Sequence, residues 1–190
     1  MGSCRTLSIK KQFRYLHIKG ANIKSVNSFG CNAILWSAQS TQSGLKAIQF
    51  LEKIGCDSKK INSNGHGVLH KSAQRGKKDV CEWIFLEMER QAQMNSLVMI
   101  APDAEYCCPS DLAGMEGHKE LAKWLVDKEI ELCIEALNVK NDCSIPSWLE
   151  EGLLNAKHLA NRSGLHDLWE GGAAVKKIAT FIEKEGKEEK

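Results

Sequence analysis

No aspartate or glutamate occurs before Glu52, although the same stretch carries Arg5, Lys10, Lys11, Arg14, Lys19, Lys24 and Lys46. A basic, acid-poor N-terminus is compatible with a transit peptide, with contact to anionic lipid, or with chance. The sequence also lacks any run of about 18 apolar residues, the length a helix needs to cross a bilayer. The apolar stretch of a secretory signal peptide is absent as well. These absences favour an intracellular chain, most simply cytoplasmic, with membrane-associated or organellar placement left open. In that setting the eight cysteines, Cys4, Cys31, Cys56, Cys81, Cys107, Cys108, Cys133 and Cys143, are expected as reduced, small apolar residues rather than disulfides.

Motifs that carry chemistry are missing too. There is no Gly-x-Ser-x-Gly elbow, and Gly65-His66-Gly67 is a fragment of a turn rather than a phosphate-binding loop. Cys107-Cys108 has no second cysteine pair at zinc spacing. His66 and His70 are four residues apart, but His66 falls in a turn and His70 at the start of a helix, so they need not share a face. A Cys/His pair assembled in space stays open as an alternative, with nothing to single out one cysteine. The expectation is a non-enzyme with no metal and no cofactor. A net charge of +2 and a pI near 8.1 are too mild to argue for nucleic acid, so none is expected as a partner.

What is present is an ordinary globular composition, 43% apolar and 26% charged over 190 residues. That length suits one domain, or one elongated repeat array with a tail. Self-similarity decides between them. Asn27-Ser-Phe-Gly30-Cys-Asn-Ala-Ile34-Leu-Trp-Ser37-Ala38 aligns with Asn62-Ser-Asn-Gly65-His-Gly-Val-Leu69-His70-Lys-Ser72-Ala73, 35 residues later. Similar turns precede both, Gly20-Ala-Asn-Ile23 and Gly55-Cys-Asp-Ser58. A third copy, Pro109-Ser-Asp-Leu112-Ala113 followed by Gly117-His118-Lys-Glu-Leu121-Ala-Lys-Trp124, matches the second at an offset of 41, with Trp124 equivalent to Trp83.

This pattern resembles the ankyrin repeat, whose unit of about 33 residues is a turn followed by two antiparallel helices with a T-P-L-H-x-A signature. Val68-Leu69-His70 stands where Pro-Leu-His occurs in the family, with Ser72-Ala73 for the paired small residues; Ala33-Ile34-Leu35 replaces it in the first copy. The resemblance implies an all-α solenoid with short hairpin loops over residues 16–128, made of a partial unit at about 16–26 and units at 27–61, 62–95 and 103–128. Residues 1–15 form a basic N-terminal segment, and residues 129–190 a helical C-terminal extension or cap. The partial first unit also raises the idea of missing upstream repeats.

Local signals fit that reading. Gly30 and Gly65 suit turns needing positive φ, and Gly76 and Gly117 suit breaks between paired helices. Leu45, Ile48 and Leu51, then Val80, Trp83 and Ile84, then Leu121, Trp124 and Leu125 recur at helical spacing. In the family, His70 caps the first helix of its unit by local hydrogen bonding. An insert near Leu86 to Tyr106 interrupts the third unit. Within it Ser96 to Ile100 reads as a strand-like connection, and Tyr106 stands where glycine belongs, which predicts an altered hairpin. Ile130 to Leu137 continues or follows a helix. Further on, Ser147 caps a helix to about Leu159 with Glu150 as capping-box partner, and a last helix carries Val175, Ile178 and Ile182. Glu183 to Lys190 reads as a fraying end.

Two sites emerge. Met1-Gly2-Ser3-Cys4-Arg5-Thr6 fits an N-myristoylation pattern with Gly2 as acceptor and Cys4 as a second acylation position; the alternative function is thus a peripheral membrane adaptor with weak membrane contact through its N-terminus. The favoured function, implied by the resemblance, is that of a monomeric scaffold binding an unidentified protein through hairpin tips and first helices. The positions this implies are Phe29 and Trp36 with Gln39, then Lys60 and Asn64 with Lys71, Gln74 and Arg75, then Met115 and Glu116.

Overall fold

The computed structural model describes residues 9–90 and 96–138. Among them every regular element is a helix: α1 (Ile9–Ile18), α2 (Ala33–Gln39), α3 (Leu45–Lys53), α4 (Val68–Gln74), α5 (Lys78–Arg90), α6 (Ser96–Ile100), α7 (Pro109–Met115) and α8 (Lys119–Asn138). Helices α2 and α3 pack as a pair, as do α4 and α5, and α7 and α8. The short helices α2, α4 and α7 touch in sequence to form an inner row, α3 packs on α5, and α1 packs on α3. Helix α1 spans residue 15 and contributes Phe13 to the core. No helix among the described residues is long and apolar enough to cross a membrane.

The apolar periodicity explains the packing. Ile34, Leu35, Ile48, Leu51, Leu69, Val80 and Leu125 are essentially inaccessible and form one core across the pairs. Burial of each side chain of this size stabilises the fold by roughly 1.5–3 kcal/mol. The inner helices approach closely because the facing positions are small: Ser37, Ala38, Ser72, Ala73 and Ala113 are all buried. Phe85 meets Trp124 edge-on at 5.4 Å, joining α5 to α8.

Each inner helix is entered through a hairpin of one design. An Asn or Asp side chain accepts two backbone N–H groups ahead of it. Asn27 Oδ1 takes Phe29 and Cys31, Asn62 Oδ1 takes Asn64 and His66, and Asp103 Oδ1 takes Glu105 and Cys107, all at 2.8–3.0 Å. The backbone closes the loop identically, with Asn27 N to Cys31 O, Asn62 N to His66 O and Asp103 N to Cys107 O at 3.0–3.1 Å. Such Asx turns satisfy donors that an exposed loop would otherwise leave to water.

The structure corrects two expectations. Tyr106 does not alter the third hairpin. It adopts φ 62°, the conformation Gly30 and Gly65 take in the first two, and its N–H bonds Asp103 O at 2.9 Å. A left-handed non-glycine residue costs about 1–2 kcal/mol, and the carboxylate of Asp103, taking two N–H groups across the turn, offsets it. Nor is Ser96–Ile100 strand-like: it is the helix α6, packed against α4 and α8 with Met99 and Ile100 buried. A lone extended segment with no neighbouring strand leaves its backbone groups unpaired, whereas a helical turn satisfies them internally. The helices expected at 147–159 and about Val175 to Ile182 lie outside the described residues.

Candidate partner-binding face

The hairpins and the inner row to which they lead carry the candidate residues. Neighbouring hairpins are bonded to one another. Phe29 O accepts from Ser63 N at 2.9 Å and Ser63 Oγ at 3.1 Å, and Asn64 O accepts from Ala104 N at 3.0 Å. His66 Nε2 lies 2.7 Å from Asp103 Oδ2, a second tie between the second and third hairpins. Burial alone would raise the Asp103 carboxyl, but the bonds from His66, Cys107 and Glu105 outweigh it and hold it below the ordinary range.

Beneath these tips, His70 is fully buried and does more than cap locally. Gly67 N donates to its Nδ1 at 3.4 Å, which leaves the proton on Nε2, and that group lies 2.9 Å from Ala101 O just beyond α6. Desolvation, with the neighbouring His66 second, pushes its pKa down to about 4, so the ring is neutral near pH 7. The rings of His66 and His70 stack at 5.6 Å. The two histidines, whose spacing does not require a shared face, therefore meet here, one from the hairpin and one from the start of α4. Among the described residues no group of three His, Cys, Asp or Glu side chains is arranged to hold a metal ion.

The candidate contact residues divide into two kinds. Phe29, Trp36 and Met115 are exposed at 59%, 55% and 42%, and Asn64 and Glu116 are exposed with them. Gln39, Lys60 and Gln74 are half-buried. Lys71 departs from the expectation of an exposed position: it is only 8% exposed, its stem being covered where α4 packs between its neighbours. Arg75 is exposed, yet its Nε donates to Gln39 O at 3.1 Å, so part of its role is to hold the end of α2. Gly2 and Cys4 lie outside the described residues.

Two charged residues that carry no recognisable motif hold this scaffold. Lys77 Nζ donates to three carbonyls at the end of α2 and in the loop to α3: Ser37 O at 2.9 Å, Ser40 O at 2.5 Å and Ser43 O at 2.8 Å. A cation there complements the helix C-terminus and its unpaired carbonyls. Glu129, from α8, accepts Ser110 N at 2.9 Å and Ser110 Oγ at 2.6 Å at the start of α7. Complete burial pushes its pKa up to about 8 against the pull of those bonds. Lysine beside a helix-breaking glycine and glutamate inside an amphipathic helix both read as solvated in sequence. Only their placement against a neighbouring helix end reveals the role.

No protein-family model matches the chain, and no curated protein matches its sequence.

Proposed function

We propose that the chain is an ankyrin-type repeat module that binds another protein through its hairpin tips and inner helices. The observation carrying this reading is the group of large apolar side chains left exposed on the hairpins and the helices they lead to, half of those exposed among the described residues, the others being Tyr15, Leu16 and Ile18 on α1, Leu86 on α5 and Val98 on α6. Val26, Phe29 and Tyr106 stand on the first and third hairpins, and Trp36 and Met115 on the inner helices α2 and α7. Single exposed apolar residues need no explanation, but aromatic and apolar side chains on the hairpins and inner helices of the first and third units are of the kind that anchors an interface. Lateral bonds between the hairpins support the same reading. A face already ordered before contact loses little conformational entropy on binding.

The test is affinity capture from native extract with the full chain against a Phe29→Ser, Trp36→Ala double variant. Arg75 is left intact because it supports Gln39 O. Circular dichroism and the urea midpoint establish that the variant is folded. A partner retained by the wild type and released by the folded variant is the expected result. Retention of the same partner by both places the interface elsewhere on the chain. A folded wild type that retains no protein removes the binding-module reading.

A further inference from the structure

Helices α1 and α3 end in the same way. Gly20 N donates to His17 O and Ala21 N to Leu16 O, as Gly55 N does to Glu52 O and Cys56 N to Leu51 O. The two helices therefore align at the repeat spacing, and the counterparts of Ala47, Ile48 and Leu51 are Gln12, Phe13 and Leu16. All three are buried in α3. In α1 Phe13 packs on the core, but Gln12 is exposed and Leu16 is half exposed. A long polar side chain where α3 has alanine does not suit the close approach of a further repeat helix.

The side of α1 turned away from Phe13 is not an ordinary solvated face. Lys11, Arg14, Tyr15 and Ile18 recur at the spacing that places residues on one helical stripe. All four are exposed, Tyr15 by 58% and Ile18 by 70%. Lys19 joins them, its ammonium 5.7 Å from the centre of the Tyr15 ring. Cations on flexible stems thus border two large apolar side chains. No acid offsets them, since none precedes Glu52. The next two acids are engaged locally, Glu52 with the Ser58 hydroxyl at 2.7 Å and Asp57 with Lys59 N at 2.9 Å. Exposed Lys24 and Lys46 extend the positive field.

This chemistry selects among occupants. A second copy would bring the same cations to the contact and be repelled. A nucleic acid would engage the cations but offer nothing to Ile18. An anionic bilayer surface supplies both halves of the match: charged headgroups for the ammonium and guanidinium groups, and an apolar layer beneath them for Ile18 and the Tyr15 ring.

We propose that α1 docks the protein on an anionic membrane surface, with Lys11, Arg14 and Lys19 on the headgroups and Tyr15 and Ile18 entering between them. The site is separate from the partner-binding face and does not depend on it. The contact is reversible, because a short helix with two inserted side chains lies on a bilayer rather than in it.

The experiment floats the full, unacylated chain with vesicles of phosphatidylcholine alone and of phosphatidylcholine containing about 30% phosphatidylserine, in about 0.1 M salt. With no fatty chain at Gly2, the helix itself must carry the result. Lys11→Gln with Lys19→Gln removes charge, and Tyr15→Ser with Ile18→Ser removes the apolar pair. Phe29→Ser with Trp36→Ala is the control for the partner-binding face. Circular dichroism checks each variant. The wild type is expected on the phosphatidylserine vesicles and not on the neutral ones. The charge variant is expected to bind about thirty-fold more weakly and the serine variant about tenfold more weakly, with the control unchanged. Absence of the wild type from the anionic vesicles, equal binding to neutral ones, or undiminished binding by either α1 variant overturns the proposal. So does a DNA duplex or a polyglutamate peptide bound as tightly as the vesicles, which assigns the stripe to polyanions in general. A dimer in sedimentation equilibrium without lipid, abolished by the serine variant, assigns it to a second copy and overturns it too. If the serine variant does not fold, Ile18→Ser alone decides by the same comparison. None of these failures touches the protein-binding reading, whose own test leaves α1 intact.

Discussion

Alanine at Gly30 and alanine at Gly65 pose the same backbone question and different packing ones. Both glycines hold positive φ, 76° and 80°, where a Cβ costs about 1–2 kcal/mol. At Gly30 the new methyl group meets Asn62 Cα at 3.6 Å, an ordinary contact. At Gly65 it meets Asp103 Cα at 2.9 Å and Ala104 N at 3.3 Å, both backbone atoms of the next hairpin. That hairpin cannot withdraw without stretching the Ala104 N to Asn64 O bond and the His66–Asp103 contact. The expected losses are therefore about 1 kcal/mol for Gly30→Ala and about 3 kcal/mol for Gly65→Ala, the excess combining overpacking with a weakened hydrogen bond of about 1 kcal/mol. Urea unfolding followed by circular dichroism measures both, and an unchanged slope allows the midpoints to be compared directly. Tyr106→Gly serves as the opposite control. It relieves the left-handed strain at φ 62° while adding freedom to the unfolded chain, so stability changes by less than about 1 kcal/mol. If Gly65→Ala is no more harmful than Gly30→Ala, the second and third hairpins do not abut as described.

Lys77→Met strips three carbonyls of their donor and is expected to cost about 3 kcal/mol by thermal or urea unfolding, with Lys77→Arg milder. Glu129 makes stability fall with rising pH. Its folded pKa of about 8 lies above the ordinary 4.5, so its contribution is complete below 4.5 and is lost as pH rises through 8. Urea midpoints of the wild type should fall by about 2 kcal/mol equivalent between pH 6.5 and 8, beyond any change in Glu129→Gln; equal profiles refute the burial of that carboxyl. His70 works with the opposite sign. Its depressed pKa, near 4 against 6.5, gives a contribution present above 6.5 and lost as pH falls through 4, which His70→Gln should flatten. Trp36→Ala should cost less than about 1 kcal/mol of stability, since more than half of the side chain is exposed. A larger loss would mean the indole supports the fold rather than a partner.

The helical class was legible because apolar residues recur at helical spacing beside small residues that let helices meet. The first two hairpins were legible from Gly30 and Gly65, since a positive φ is cheap for glycine. The third is masked in sequence because Tyr106 stands at the left-handed position where glycine is expected, while Asp103 organises the turn. The residue that organises each hairpin is the Asn or Asp three positions before the left-handed one, and the sequence shows it at Asn27, Asn62 and Asp103. Short apolar runs such as Ser96–Ile100 do not distinguish strand from helix by periodicity; the surroundings decide, and among the described residues no strand lies beside this one. Lys71, Lys77 and Glu129 were opaque for a shared reason. Charged side chains on helices read as solvated until packing shows which neighbouring turn covers them.

Because each hairpin is laced sideways to the next, through Phe29 O, Asn64 O and the His66–Asp103 contact, the tips form a graduated ruler rather than a set of independent fingers. A guest that touches two hairpins must match a pitch written in backbone, which side-chain substitution alone does not rescale. Lengthening one loop by a residue would break the lacing at that rung and put the contacts on either side out of step.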